Sequence, residues 1–327
     1  MGNNASRGRL RRRKVGLALS SGVARGWAHI GAIRALSRLG VPFDLVAGCS
    51  AGALVGGCYL ARQLDQLEKW ALSLSPRRVV SYLDLSFGRG GMIKGEKIKN
   101  ELRKFMGQQR IEDLPVPFIA VATDLGTGHE VWLREGDLAE AIRASIAMPG
   151  LLPPIEFRNR WLADGALLDP MPVAACRSFG ADLVIAVNLN TDILGKMRQG
   201  SAAARPTLGF DPSGLLSAQA ELADRALPES LTQGIFGGDR DTPNIFGVMM
   251  TSLSIMQDRL TRSRLAGDPP DVHIAPRLGH LGLLEFDRAE ESMKEGEAAV
   301  MRKRPELADA LQVLSQTHQV VGGNEPI

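Results

Sequence analysis

The chain has 327 residues, of which 44% are hydrophobic and 23% charged, so it is long enough for a large core and ordinary for a globular protein. No apolar run approaches the roughly 18–20 residues that span a bilayer, and the apolar segment behind the basic N-terminus is interrupted by Arg25 and His29 without a cleavage site. The three cysteines, Cys49, Cys58 and Cys176, are an odd number without metal-ligand spacing, which suits a reducing compartment and predicts a cytoplasmic protein. No metal and no other cofactor is expected.

The net charge of +3 is unevenly distributed along the chain. Residues 1–14 carry six basic side chains and no acidic one, so the remaining residues sum to −3. We expect residues 1–14 to form a disordered basic arm outside the folded domain. Each Lys or Arg near an anionic lipid surface contributes roughly 1 kcal/mol of binding. The basic residues 7–14 therefore suggest peripheral contact with the inner membrane face, and no nucleic-acid partner is expected.

The first elements along the chain predict a βαβ unit. Val15–Leu19 is an apolar strand, and residues 27–39 form a helix with its apolar positions on one face, ended by Gly40. A second apolar strand covers residues 43–48. Parallel strands joined by a helix imply a doubly wound α/β sheet.

A nucleophile-elbow pattern, G-x-S-x-G, stands directly after this second strand. It comprises Gly48, Cys49, Ser50, Ala51 and Gly52, and a helix rich in small residues follows. Strand, sharp turn and helix form the context in which the serine hydroxyl of such a pattern is presented to substrate. A glycine-rich turn whose serine merely caps the next helix is the alternative.

The later part of the chain continues the alternation of strands and helices. Helices are predicted at 63–74, 96–106, 138–147, 173–179, 249–265 and 288–316, the last interrupted at Pro305, and strands at 118–123, 129–133, 155–157, 161–163, 183–187 and 272–275. Residues 195–246 are rich in Gly, Pro, Ser, Asp and Arg, which predicts a flexible insertion with one short helix at 215–226. One catalytic domain is thus expected to cover 15–320.

A serine nucleophile requires a base, and two kinds of residue are candidates. His273 and His280 follow Ser50 and Asp164 in the order found in α/β-hydrolases, but an elbow after only the second strand does not fit that fold. Asp164 precedes Gly165 at the end of a predicted strand and could accept the serine proton directly. Asp-Gly turns also form for purely local reasons, so both bases remain open on this evidence.

The loop at residues 20–26 offers backbone N–H groups between the first strand and the first helix. Such a turn can stabilise the oxyanion of a tetrahedral intermediate. A dinucleotide-binding loop is the alternative, but only Gly22 and Gly26 approach its spacing, and no acidic residue ends the second strand.

Taken together, three segments resemble the patatin-like phospholipases, and in particular their bacterial RssA-type branch. They are the loop at 21–26 with its Arg-Gly pair, the elbow at 48–52, and Asp164-Gly165-Ala166. Further matches lie at 27–31, 122–125, 144–150 and 266–271.

This resemblance implies a three-layer α/β/α sandwich with a mostly parallel central sheet, and a serine acyl hydrolase that acts on phospholipids or other lipid esters without a metal. Ser50 would be the nucleophile and Asp164 its base, in a dyad without histidine. The backbone N–H groups of Ser21, Gly22 and Val23 would form the oxyanion hole. The residues that would support these motifs are Arg25, Gly26, Gly48, Gly52, Gly165 and Ala166.

Two departures from the family pattern bear on activity. Ser20, Ser21 and Val23 stand where the family usually has glycines, so a catalytically weak regulator or binding module of the same fold is the alternative function. Asp169 stands where the family often has asparagine. A second carboxylate near the dyad would raise the pKa of Asp164.

Overall fold

The computed structural model describes residues 13–75, 78–79, 95–191 and 245–316. The predicted arm up to residue 12, the insertion from 195 to 244 and its helix at 215–226 lie outside these residues. No helix within the described ranges combines the length and the hydrophobicity needed to cross a bilayer.

A central sheet of eight strands organises the molecule, in the order β5-β6-β3-β2-β1-β7-β8 with β4 also paired to β3. The strands are β1 (Val15–Leu19), β2 (Leu45–Cys49), β3 (Phe118–Asp124), β4 (Glu130–Leu133), β5 (Ile155–Phe157), β6 (Arg160–Asp164), β7 (Leu183–Val187) and β8 (Val272–Ile274). The pairs that join β3, β2, β1, β7 and β8 are parallel, whereas those involving β4, β5 and β6 are antiparallel. The expected mostly parallel sheet is confirmed.

Helices cover both faces of this sheet. They are α1 (Ala28–Arg38), α2 (Ala51–Leu60), α3 (Leu64–Leu72), α4 (Glu96–Met106), α5 (Leu138–Ser145), α6 (Val173–Ser178), α7 (Ile245–Gly267), α8 (Ala289–Arg302) and α9 (Arg304–Gln316). Because side chains alternate along a strand, Leu17 of β1 joins the core with Ile33 of α1, whereas Ala18 joins a second core with Cys176 of α6. The three-layer α/β/α sandwich is therefore confirmed.

The predicted boundary between the last two helices was wrong. The interruption between the last two helices lies at Lys303 and not at Pro305, because α8 ends at Arg302 and α9 begins at Arg304. Pro305 thus occupies the first turn of α9. A proline is tolerated there because the first N–H groups of a helix have no intrahelical acceptor.

The register along β3 brings the ends of two distant strands together. Cys49 of β2 pairs with Val121, and Asp164 of β6 pairs with the next residue, Ala122. Because β4 pairs with both Val121 and Ala122, it occupies the opposite edge of β3. The strands β2 and β6 therefore meet end to end along one edge, which brings Ser50 beside Asp164.

Candidate active site

Ser50 forms a strained turn between β2 and α2. Its backbone has φ 54° and ψ −119°, a conformation that costs a non-glycine residue on the order of 1–3 kcal/mol. Ser50 occupies the N-cap position of α2, but its side chain makes no capping hydrogen bond. The turn needs its two glycines, because a Cβ at Gly52 would collide with the Leu19 carbonyl oxygen and one at Gly48 with the backbone of Gly52 and Ala53. The helix-cap alternative is thereby excluded for the Ser50 hydroxyl.

The Ser50 hydroxyl donates to Asp164 instead. The distance from Ser50 Oγ to Asp164 Oδ2 is 2.6 Å, and both side chains are buried. The other carboxylate oxygen, Oδ1, accepts the Ala166 N–H at 2.8 Å and so begins the 3-10 helix Gly165–Leu167. A side chain at Gly165 would collide with the Val121 carbonyl oxygen. Asp164 thus closes the local turn with one oxygen and contacts the serine with the other.

Burial raises the pKa of Asp164 to about 7, although the hydrogen bonds from Ser50 and Ala166 act in the opposite direction. Burial likewise raises the pKa of Asp169 to about 6, with the charge of Glu130 adding to the effect. The expected contribution of Asp169 to the pKa of Asp164 is absent, since burial is the cause of that shift. A carboxyl group that titrates near neutral pH is suited to accept and release a proton.

His273 and His280, the alternative bases, have partners other than Ser50 in the described structure. His273 belongs to β8, which is three strands from β2 in the sheet and hence about 14 Å away at the usual strand spacing. Its ring faces Asn188, with 3.2 Å between His273 Nε2 and Asn188 Nδ2. His280 pairs with Glu291 at 2.7 Å. The Ser50 hydroxyl donates to Asp164 and not to a histidine, which does not support the Ser–Asp–His arrangement of α/β-hydrolases.

Of the three loop amides expected to form an oxyanion hole, that of Ser21 is not available. It donates to the Pro170 carbonyl oxygen at 2.9 Å. Within the described part of the chain, the N–H groups of Gly22 and Val23 have no such acceptor. Val23 has φ 51° and lines the same pocket as Ser50. The backbone of this β-branched residue is thus held in the left-handed region, at a position where the family usually has glycine.

The serines that replace glycines in this loop take part in a buried hydrogen-bond network. Ser20 Oγ donates to the Ser21 carbonyl at 2.8 Å and accepts the Leu189 N–H at 3.0 Å. Asn190 Nδ2 donates to Ser21 Oγ at 3.1 Å, and His29 Nε2 donates to the Ser20 carbonyl at 2.8 Å. The hydroxyl groups therefore attach the loop to the segment that follows β7.

Arg25 and Gly26 hold the other end of the loop. Arg25 is buried and donates from Nε and Nη2 to the Leu281 carbonyl oxygen, at 3.0 and 2.7 Å. A Cβ at Gly26 would collide with the Ala51 side chain. The absence of that atom allows the loop to pack directly against the elbow.

Two residues of the site received no role from the sequence. Ser145, at the end of α5, accepts the Ser50 N–H at 2.9 Å and donates to the Val121 carbonyl at 2.6 Å. Thr123 Oγ1 donates to the Asp164 carbonyl at 2.9 Å. Both residues belong to segments, 144–150 and 122–125, in which the sequence resembles the patatin-like phospholipases. That resemblance was the signal that could have pointed to them.

A predominantly apolar pocket of about 140 Å³ opens beside Ser50. Its lining is Val23, Gly26, Trp27, Ser50, Ala51, Leu54, Val55, Trp70, Leu74, Val79, Ile98, Glu101, Leu102, Phe105, Ile146, Met148, Leu151, Leu152, Leu284 and Phe286. The aromatic rings of Trp27, Trp70, Phe105 and Phe286 form a connected series of edge-to-face contacts. Such a lining suits a hydrocarbon chain beside the serine.

The chain matches the family model described as patatin-like phospholipase over residues 17–177. It is 39% identical over 322 residues to an uncharacterized NTE family protein of Mycobacterium tuberculosis, covering 87% of this chain and 89% of the relative. The chain belongs to the patatin-like phospholipase family.

More distant relatives of this patatin-like protein are longer. Lysophospholipase NTE1 of Pyricularia oryzae is 30% identical over 318 residues, which cover 94% of this chain but 20% of that one. The structure of VipD from Legionella pneumophila aligns with a TM-score of 0.44 at 16% identity, over 92% of this chain and 67% of VipD. Assignment to the RssA-type branch stays a prediction.

Proposed function

We propose that this patatin-like protein is a serine hydrolase of lipid acyl esters, of the phospholipase or lysophospholipase type. The observation that carries the proposal is the 2.6 Å contact between Ser50 Oγ and Asp164 Oδ2 at the wall of an apolar pocket. A relative named lysophospholipase supports this choice of substrate class. The contact distance lies within the range that direct proton transfer requires.

In the first half of the proposed reaction, Ser50 Oγ attacks the ester carbonyl carbon while Asp164 Oδ2 takes the hydroxyl proton. The carbonyl oxygen becomes an oxyanion, which the N–H groups of Gly22 and Val23 stabilise. The intermediate then expels the alcohol, to which Asp164 returns the proton. The product of this half is an acyl ester of Ser50.

In the second half, water takes the place of the released alcohol. Asp164 removes a proton from the water, and the resulting hydroxide attacks the acyl carbon. Collapse of this intermediate breaks the bond to Ser50 Oγ, which recovers its proton from Asp164. The fatty acid then leaves the apolar pocket, and the enzyme returns to its starting state.

The dyad is tested by Ser50→Ala and Asp164→Asn, with Asp169→Asn as the matched control. Asp169 is equally buried, but its Oδ1 accepts the Met171 N–H at 3.3 Å and it makes no contact with Ser50 in the described structure. We expect the two dyad variants to lose on the order of a thousandfold or more in kcat on lysophospholipid and p-nitrophenyl esters. Full activity of Asp164→Asn would refute the dyad.

A fluorophosphonate probe separates the proposal from a catalytically weak regulator or binding module. The folded wild type should be labelled at Ser50, and the Ser50→Ala variant should not. A folded wild type that resists labelling would favour the regulator. A panel of lysophospholipids, diacyl phospholipids and short esters then identifies the substrate class.

A further inference from the structure

The helix α7 has polar residues on its buried side and apolar residues on its exposed side. Ser254, Gln257 and Thr261 repeat at helical spacing and are buried. On the opposite face, Val248 is 48%, Ile255 41% and Met256 52% exposed. A helix that only packs on a core shows the reverse distribution.

The buried side chains of Ser254, Asp258 and Thr261 find their partners within the helix itself. Ser254 Oγ donates to the Met250 carbonyl at 2.8 Å, and Thr261 Oγ1 donates to the Gln257 carbonyl at 2.7 Å. Asp258 accepts Arg262 Nε at 2.9 Å. Polar residues can therefore face inward at little cost. Packing against the rest of the domain gives no reason for the apolar residues on the outer face.

The outer face carries apolar side chains, the small polar Ser252 between them, and an exposed arginine toward the C-terminal end. Ile255, Met256 and Arg259 follow Val248 by seven, eight and eleven positions. At helical spacing, the four residues therefore lie on one side of the helix. Arg259 is exposed, whereas Arg262, one turn further on, pairs with Asp258. Apolar residues bordered by arginine are typical of helices that lie on a membrane surface.

The same helix forms part of the surroundings of the pocket. Near its start, Met249, Met250 and Leu253 pack with Met148, Leu151 and Leu284 in one apolar cluster. Met148, Leu151 and Leu284 also line the pocket beside Ser50. The outer face thus belongs to an element that contacts the pocket walls through its other side.

We propose that the outer face of α7, formed by Val248, Ile255, Met256 and Arg259, binds an anionic lipid surface. The apolar side chains enter the boundary between head groups and acyl chains, and Arg259 contacts the lipid phosphates. Through the packing of α7 against the pocket walls, the pocket is held close to that surface. The inference deepens the proposed hydrolysis of lipid esters, but binding itself does not require the reaction.

The binding test uses the full chain with Ser50→Ala, so that the vesicles stay intact. Vesicles of phosphatidylcholine mixed with phosphatidylglycerol are sedimented at one moderate salt concentration, and because every variant keeps the basic arm, its contribution is the same in all of them. The variants Ile255→Asp and Met256→Asp are compared with Met301→Asp and Val313→Asp, whose parent residues are 45% and 62% exposed on α8 and α9. We expect the α7 variants to bind about tenfold more weakly or worse, and the controls to bind like the parent.

Equal binding by all four variants, or no binding by the parent, would overturn the proposal. So would sedimentation equilibrium without vesicles that shows a dimer disrupted only by the α7 variants, since the face would then contact a second copy. The same α7 substitutions with Ser50 intact should hydrolyse a short soluble ester at the parental rate, which verifies the fold. Absence of that hydrolysis in the parent refutes the proposed function without affecting the binding result.

Discussion

At the scale of single residues, the environment of Asp164 determines how the site responds to pH. The carboxyl group is buried, its pKa is about 7, and it contacts the Ser50 hydroxyl. Only the ionised form can accept the serine proton. We therefore expect kcat/KM for a short ester to rise with pH and level off above an apparent pKa near 7. A pH–rate profile measures this, and a plateau that extends down to pH values near the ordinary aspartate pKa would contradict it.

The same shift predicts how stability changes with pH. Because the pKa of Asp164 in the folded state lies above its value of 3.8 in an unfolded chain, the folded state binds this proton more tightly. The contribution to stability is full at low pH and is lost as pH rises to about 7. The variant Asp164→Asn lacks this dependence. Urea unfolding of the wild type and the variant, at a pH below 3.8 and at a pH above 7, measures this. The variant should become more stable relative to the wild type at the higher pH.

Val23 combines a β-branched side chain with a positive φ. Because φ is 51°, any residue with a Cβ is strained here, and removing the Cβ relieves the strain. We expect Val23→Gly to be about 1 kcal/mol more stable than Val23→Ala, which loses similar packing but keeps the strain. Urea unfolding measures the difference, and equal stabilities would show that the conformation is not strained. Ester hydrolysis should persist in both variants, since the proposed donor is the backbone N–H.

At the scale of elements, Ser145 connects α5 and β3 to the elbow. Its hydroxyl accepts the Ser50 N–H and donates to the Val121 carbonyl. In Ser145→Ala the buried Ser50 N–H has no acceptor, which costs about 1–3 kcal/mol of stability. We expect a lower kcat as well, because the elbow is no longer held in its strained conformation.

The matched control for Ser145→Ala is Ser292→Ala. Ser292 is also a buried helical serine, but it belongs to α8, whose glycine Gly296 packs closely on the Ala28 carbonyl of α1. Unfolding and steady-state kinetics of both variants separate the two roles. A drop in kcat of the same size in the control would show that Ser145 has no particular function at the elbow.

The elements themselves were largely predictable. The strand Leu183–Val187 and the helix Glu96–Met106 have the predicted bounds, because apolar runs and helical periodicity are local properties of the sequence. The break before α9 was predicted two residues too late. The sequence pattern placed the break at the proline, whereas the helix begins one residue before it. The arm and the insertion stay predictions.

At the scale of the whole molecule, the helical layer that contains α2 and α4 walls the pocket next to Ser50. Leu102 of α4 is buried and lines this pocket. The variant Leu102→Trp should fill part of it, and the proposed function then predicts a lower kcat/KM for long-chain esters. Hydrolysis of an acetyl ester should change little, since a short chain does not reach the filled part. Equal losses on both substrates would indicate a disturbed fold rather than a shortened pocket.

The sequence by itself determined the layered α/β architecture, the elbow at Ser50 and the candidacy of Asp164, because these depend on local periodicity and short motifs. It left the base undecided between Asp164 and the histidines until the family resemblance was considered. Only the tertiary structure decided that β2 and β6 end beside each other on β3, which brings together two residues 114 positions apart. It also decided that Ser21 directs its amide to Pro170, that Ser145 supports the elbow, and that α7 turns polar residues inward. These features arise from strand register and from packing between distant segments, which no local pattern in the chain specifies.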